Sequence, residues 1–179
     1  MSNIVYIATS LDGYIADKNH GLDWLHSTPN PDNDDMGFMD FISRVDALVM
    51  GRKTFEIVAG FDGEWPYPKP VFVLSRTLNS IPEHLQDKVF LINGDTEAVT
   101  SDLHQRGYKN LYIDGGTTIQ QFLQQDMIDE LIIARIPVVL GGGIPLFGNL
   151  EQPLSFKHTE TKVHLNAIAQ SFYVRNRAH

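Results

Sequence analysis

A chain of 179 residues with net charge −8, no cysteine and 42% apolar residues excludes several classes of protein. Nucleic-acid binding needs clustered Lys and Arg, disulfide frameworks and thiolate metal sites need cysteine, and a disordered chain carries fewer apolar residues. The length suits one domain over residues 1–179, and the sequence has neither a basic, apolar leader at MSNIVYIATS nor a membrane-spanning apolar stretch, so a cytoplasmic protein is expected.

Ile4 to Ala8 is the kind of apolar run that a buried strand supplies; Ser10-Leu11-Asp12-Gly13 turns the chain, and Tyr14-Ile15-Ala16 follows. Lys18 to Asn33 reads as a loop around the apolar island Trp24-Leu25. Phe38, Phe41, Ile42 and Val45 recur at helix spacing and predict a helix over Asp34 to Arg44, with acidic residues placed to suit its dipole. Ala47 to Met50 is the next strand, followed at once by Gly51-Arg52-Lys53-Thr54, a short helix and a turn-rich loop from Gly60 to Pro70. Val71 to Leu74, ending at Ser75-Arg76, and Val89 to Ile92 are further strands, and Thr96 to Gln105 is a helix closed by Gly107.

Asn110 to Leu123 reads as buried strand, Asp114-Gly115-Gly116 break, and helix with Ile119, Phe122 and Leu123 on one face. Leu131 to Ala134 is another strand, running towards Val138 past Pro137; Gly141-Gly142-Gly143 and Pro145 form a tight loop, and the tail alternates as a β-hairpin. Strands alternating with helices predict an α/β protein: a three-layer α/β/α arrangement with a mostly parallel central sheet and an antiparallel C-terminal edge.

Three strand ends carry groups that suit phosphate: Gly51-Arg52-Lys53-Thr54, Ser75-Arg76, and Gly115-Gly116-Thr117-Thr118. Ligands in open α/β sheets sit outside the carboxyl ends of strands, so these groups are expected along one crevice fit for a ligand with several phosphates. Neither a P-loop nor a G-x-G-x-x-G turn opening a helix is present, and Gly141 to Gly148 reads as a tight loop near a ligand. The scattered histidines give no metal-binding pair, and Ser10 lacks a nucleophile elbow.

Taken in order, IATSLDGYIA, Trp24, DALVMGRKTFE, YIDGGTTIQQFL and IDELIIARIPVVLGGGIPLF resemble the dihydrofolate-reductase-like superfamily, and within it the riboflavin-synthesis reductases of the RibD C-terminal branch. The resemblance implies an NADPH-dependent reductase of a small heterocycle, with a homodimer suggested by that branch. It places Gly51, Arg52, Lys53 and Thr54 on the cofactor phosphates, Ser75 and Arg76 on the 2′-phosphate, Gly115, Gly116, Thr117 and Thr118 on the pyrophosphate, and Ala8 and Ile15 beside the nicotinamide. An Arg at the ribose favours a 2′-phosphate on physical grounds as well.

On the substrate side the resemblance implies a carboxylate at Asp35 and an apolar pocket position at Phe38. In a helix over Asp34 to Arg44, Asp35 shares a face with Phe38 and Ile42 and looks into an apolar cleft, where burial raises its pKa; Asp34 and Asp35 serve equally well as helix caps. Asp12, in the S-x-D-G motif, is the second carboxylate candidate or a turn-former, and Trp24, Trp65 and Tyr67 either border a flat ring or pack loops. One departure from the riboflavin reductases stands out: the interval after Trp24 carries Asp32, Asp34, Asp35 and Asp40, with Arg44 its only Lys or Arg, which disfavours a dianionic phosphate. True dihydrofolate reduction and NADPH binding without turnover are the alternative readings.

Overall fold

The computed structural model describes residues 1–177. Its elements in chain order are β1 (Ser2–Thr9), β2 (Tyr14–Ala16), α1 (Phe38–Ile42), β3 (Ala47–Gly51), α2 (Arg52–Ala59), β4 (Val71–Leu74), β5 (Val89–Ile92), α3 (Thr96–Gln105), β6 (Asn110–Asp114), α4 (Gly116–Gln124), β7 (Glu130–Arg135), β8 (Ile144–Pro145), β9 (Phe156–His164) and β10 (Ile168–Arg175). Eight strands form one sheet in the order β5-β4-β3-β6-β1-β7-β10-β9, parallel from β5 through β7 and antiparallel at β10 and β9. The α/β reading, the mostly parallel sheet and the C-terminal hairpin all follow the sequence pattern.

Alternation along the central strands divides the core between the two faces of the sheet. Ile4, Leu48, Met50, Tyr112 and Ile132 face α1 and α2, meeting Phe41, Ile42 and Phe55. Val5, Val49, Ile113 and Ile133 face α3 and α4, meeting Val99, Leu103, Ile119 and Phe122. Each such fully buried side chain contributes about 1.5–3 kcal/mol, which explains why the strands read as apolar runs rather than strict alternation.

Two local readings change. The predicted helix over Asp34 to Arg44 shortens to Phe38–Ile42, because Asn33, Met36 and Gly37 all take positive φ (51°, 54° and 88°) and interrupt any earlier turn. The glycine loop after β7 is tied down: Ile144–Pro145 pairs with Tyr14–Ala16 as a two-stranded ribbon.

Gly143 shows how tight that ribbon is. At its φ of 143° an added Cβ would run into the Ala16 carbonyl oxygen, a backbone atom that has no rotamer to retreat to. Gly143→Ala should therefore destabilise the protein by about 2 kcal/mol or more, lowering the thermal midpoint by roughly 4–8 °C. Gly13→Ala, at a φ of 88° with nothing within 4 Å of the new methyl, should cost only about half as much.

Candidate functional site

β3 and β6 are neighbours, yet the helices that follow them leave in opposite directions: α2 packs on one face of the sheet and α4 on the other. Their N-termini thus open a crevice at the carboxyl ends of the strands, and the unpaired N–H groups of both first turns face into it. The crevice has a volume of about 1220 Å³ and runs the width of the parallel sheet. It passes from Gly94–Glu97 beyond β5, past Ser75 and Arg76 at β4 and Gly51–Thr54 at β3, to Asp114–Thr118 at β6 and then Ile7, Ala8, Ile15 and Ala16. All twelve residues that the resemblance assigns to the cofactor line this one cleft.

The cleft has the shape of a cradle for a ligand pressed against backbone. Gly115 has a φ of 93°, and a Cβ there would lie 2.5 Å from Thr54 Oγ1; a Cβ on Gly51 would lie 2.9 Å from Thr118 Oγ1. The two helix ends therefore meet at small residues and hydroxyls, where main-chain amides approach an anion without side-chain obstruction. Arg52 is already engaged, donating to Glu56 at 2.7 Å and to Thr77 at 2.6 Å, which ties the start of α2 to the turn after β4. Within that turn Ser75 Oγ accepts from the Thr77 and Leu78 amides.

Asp114, read from the sequence only as part of a chain break, becomes a cleft residue. It is the last residue of β6, on the same face as Tyr112, and burial pushes its carboxyl up to about 6, opposed by the Gly115 amide and the Tyr67 hydroxyl. Tyr67 reaches the same point from the loop after α2, and burial first, then the Asp114 charge, raises its hydroxyl so that it keeps its proton. Tyr112 donates to the Tyr6 carbonyl at 3.1 Å, and Tyr6 donates to the Met36 carbonyl at 3.3 Å. The sequence signal was present in β6, where a carboxylate ends an apolar strand on a face the alternation identifies. Nothing local announced that Tyr67 would meet it.

The other substrate-side residues fall outside the cleft lining. Asp35 is exposed and precedes the helix, so it shares no helical face with Phe38 and Ile42. Its carboxylate accepts from the Gly37 and Met39 amides at 3.0 and 3.1 Å, the capping arrangement, as Asp34 does from Met36 at 2.8 Å. Asp12 accepts from Ser10 Oγ at 2.6 Å, Gly141 N at 2.8 Å and Leu140 N at 3.1 Å; Ser10 foremost, with those amides, holds its carboxyl down at about 2. It anchors the loop after β1 to the loop after β7. Trp24 is 8% exposed, packed with Ile136 and Ile168, its indole N–H on the Gly21 carbonyl, while its neighbours Leu22 and Leu25 line the cleft. Phe38 packs edge-on against Tyr6.

A sequence profile described as the RibD C-terminal domain matches residues 3–169. The chain belongs to the RibD C-terminal domain family. Within and around that family, it is similar to a protein from Shewanella sp. PV-4 whose crystal structure bears the name of a candidate riboflavin biosynthesis protein, at 56% identity and TM-score 0.96 over 99% of this chain and 100% of that one. It is 38% identical to the uncharacterized protein YwjB of Bacillus subtilis over 96% of this chain and 97% of that protein. The Thermotoga maritima diaminohydroxyphosphoribosylaminopyrimidine deaminase/5-amino-6-(5-phosphoribosylamino)uracil reductase shares the fold at TM-score 0.73 and 15% identity, the chain covering 56% of it. The same fold is that of the dihydrofolate reductase of Enterococcus faecalis, at TM-score 0.66 and 17% identity over 98% of this chain and 96% of that one.

The half-buried Asp114 carboxyl of this RibD C-terminal domain gives a pH test. Because the folded-state pKa of Asp114 is raised to about 6, the folded protein holds a proton that the unfolded chain releases near pH 4. Stability should fall as pH rises through that window. Asp114→Asn should remove the loss, stabilising the ligand-free protein at pH 7 by up to about 2 kcal/mol, with the difference vanishing below about pH 4 in thermal melts.

Proposed function

We propose that this chain is an NADPH-dependent oxidoreductase that reduces a C=N or C=O group of a small heterocycle, resembling 5-amino-6-(5-phosphoribosylamino)uracil reductase. The observation that carries the reading is the single cleft in which two helix N-termini, Lys53 and Arg76 lie in the order an extended dinucleotide phosphate requires. The family, and the reductase named in the Thermotoga relative, support it.

The first turns of α2 and α4, at Arg52–Thr54 and Gly116–Thr118, would hold the pyrophosphate through main-chain N–H groups, with Lys53 adding a mobile charge. Ser75 and Arg76, one strand further towards the sheet edge, would take the 2′-phosphate. Ala8 and Ile15, apolar and small enough to lie flat against a ring, would flank the nicotinamide beyond β6. When bound, the dinucleotide supplies a hydride from its nicotinamide ring.

The chain's own contribution is to orient the partners and supply the proton. Reduction of a C=N or C=O group would add that hydride to carbon and leave the nitrogen or oxygen to take up a proton from the chain, so that the substrate would gain two hydrogens. Asp114, with a carboxyl near 6, holds a proton often enough at neutral pH to donate it and is acidic enough to release it. Tyr67 beside it remains a hydroxyl donor and orients that carboxyl. Asp12, ionised throughout the physiological range, and the capping Asp35 are placed to hold loops rather than deliver protons.

Calorimetric titration tests the cofactor assignment. NADPH should bind at least about ten-fold more tightly than NADH, and Arg76→Ala should erase most of that preference while leaving NADH affinity unchanged. Equal affinity of the wild-type chain for both dinucleotides would exclude the role given to Arg76.

A further inference from the structure

Charge is distributed unevenly along the cleft. Among the described residues that line it, every Lys and Arg (Arg52, Lys53 and Arg76) stands at the ends of β3 and β4. Asp95 and Glu97 line the end beyond β5; in the other direction, at β6 and β1, the lining turns to Asp114, Tyr67, neutral polar side chains of α4 and apolar groups, with His20 the remaining basic side chain. On the face covered by α1 and α2, Asp114 lies next to Tyr112 and Tyr67.

Two cations of the segments flanking α1 and α2, Arg44 and Lys69, stand at the far end of the strands. Arg44, the only Lys or Arg between Leu25 and Asp46, donates to both Glu130 oxygens, at 3.1 and 2.9 Å. Glu130 opens β7 and pairs with Ile4, so that ion pair lies at the amino ends of the strands, across the sheet from the cleft mouth. Lys69 precedes Pro70, whose carbonyl receives the Leu48 amide, again near the start of β3. At the lip of the cleft stand Ile57 and Phe61, large apolar side chains that are 42% and 58% exposed.

A phosphate monoester brings a charge of about −1.5 to −2 at neutral pH and requires an Arg fork, Lys or bare helix end. The two helix ends here belong to the dinucleotide in the reading above, and what is left is a carboxyl, the Tyr67 hydroxyl, neutral polar side chains of α4 and apolar surface. Ring N–H groups suit that set: a carboxylate accepts from them, hydroxyls satisfy ring carbonyls, and the exposed Ile57 and Phe61 cover an uncharged substituent.

The geometry points to a substrate that is a flat, N–H-bearing heterocycle without a phosphate, held at Asp114 and Tyr67 with its substituent over Ile57 and Phe61. The inference rests on the cofactor reading and adds that this chain rejects the phosphorylated ring that the Thermotoga reductase's name specifies. Like charge facing Asp114, with no Lys or Arg of the lining beside it, supplies the rejection.

The test uses the whole chain saturated with NADP⁺, with that binding measured first. Calorimetric titration with 5-amino-6-ribosylaminouracil and with its 5′-phosphate compares the two ring forms directly. The unphosphorylated compound should bind about ten-fold or more tightly than the ester. Asp114→Asn should narrow that ratio, whereas a change in folding alone would weaken the riboside and its ester alike. An ester that binds as tightly as the free riboside, or more tightly, overturns the inference. So does failure of the riboside and of 7,8-dihydropterin to bind a chain that does take NADP⁺. Absence of NADP⁺ binding at the first step would instead overturn the cofactor reading.

Discussion

The divergence of two helices from two adjacent strands is the constraint on which the rest of the molecule depends. β3 and β6 lie side by side, and the chain leaves one towards α2 and the other towards α4 on opposite faces of the sheet. Two sets of unpaired amides are thereby forced to the same place, and Gly51 and Gly115 keep it clear of side chains at the point where Thr54 and Thr118 close in. A methyl group at Gly115 would both strain the backbone and occupy the space an anion needs, so fold and binding capacity are limited by the same atoms.

From that crossing the cleft extends in two chemically different directions. Towards β4 and β5 it is polar, with Lys53 and Arg76 beside the carboxylates of Asp95 and Glu97; towards β1 it becomes more apolar, with Asp114 its one carboxylate among the described lining residues. This order follows from strand order rather than chain order, since β6 is inserted between β3 and β1. In the proposed reading the cationic end would take the anionic ligand and the apolar end a ring, so that two ligands would meet above β6 without competing for the same groups.

Asp114 is a local cost within that arrangement. A carboxyl ending a buried strand, among Tyr67 and Tyr112, is harder to ionise than one in water, and the ligand-free protein carries that penalty at neutral pH. Residues whose burial works against stability while facing a cleft are the ones that chemistry retains. Asp12 makes the contrast: it accepts from Ser10, Leu140 and Gly141, and is exposed, ionised and engaged in joining two loops.

The strands, the long helices α3 and α4, and the three phosphate-suited strand ends were legible in the residues alone, because apolar runs, helix periodicity and glycine breaks are local signals. The extent of α1 was not, because the left-handed backbone at Met36 and Gly37 overrode an apolar spacing that suited a longer helix. The place of Asp35 failed with it, since a shared helical face requires the helix. By itself, then, the sequence determined which segments pair into a parallel sheet and which loops could meet a phosphate, as these depend on neighbours a few positions apart. Only the tertiary structure decided that Tyr67 meets Asp114, that Arg44 is spent on Glu130 at the far end of the strands, and that Trp24 turns inward, because contacts between residues distant in the chain are set by how the layers pack.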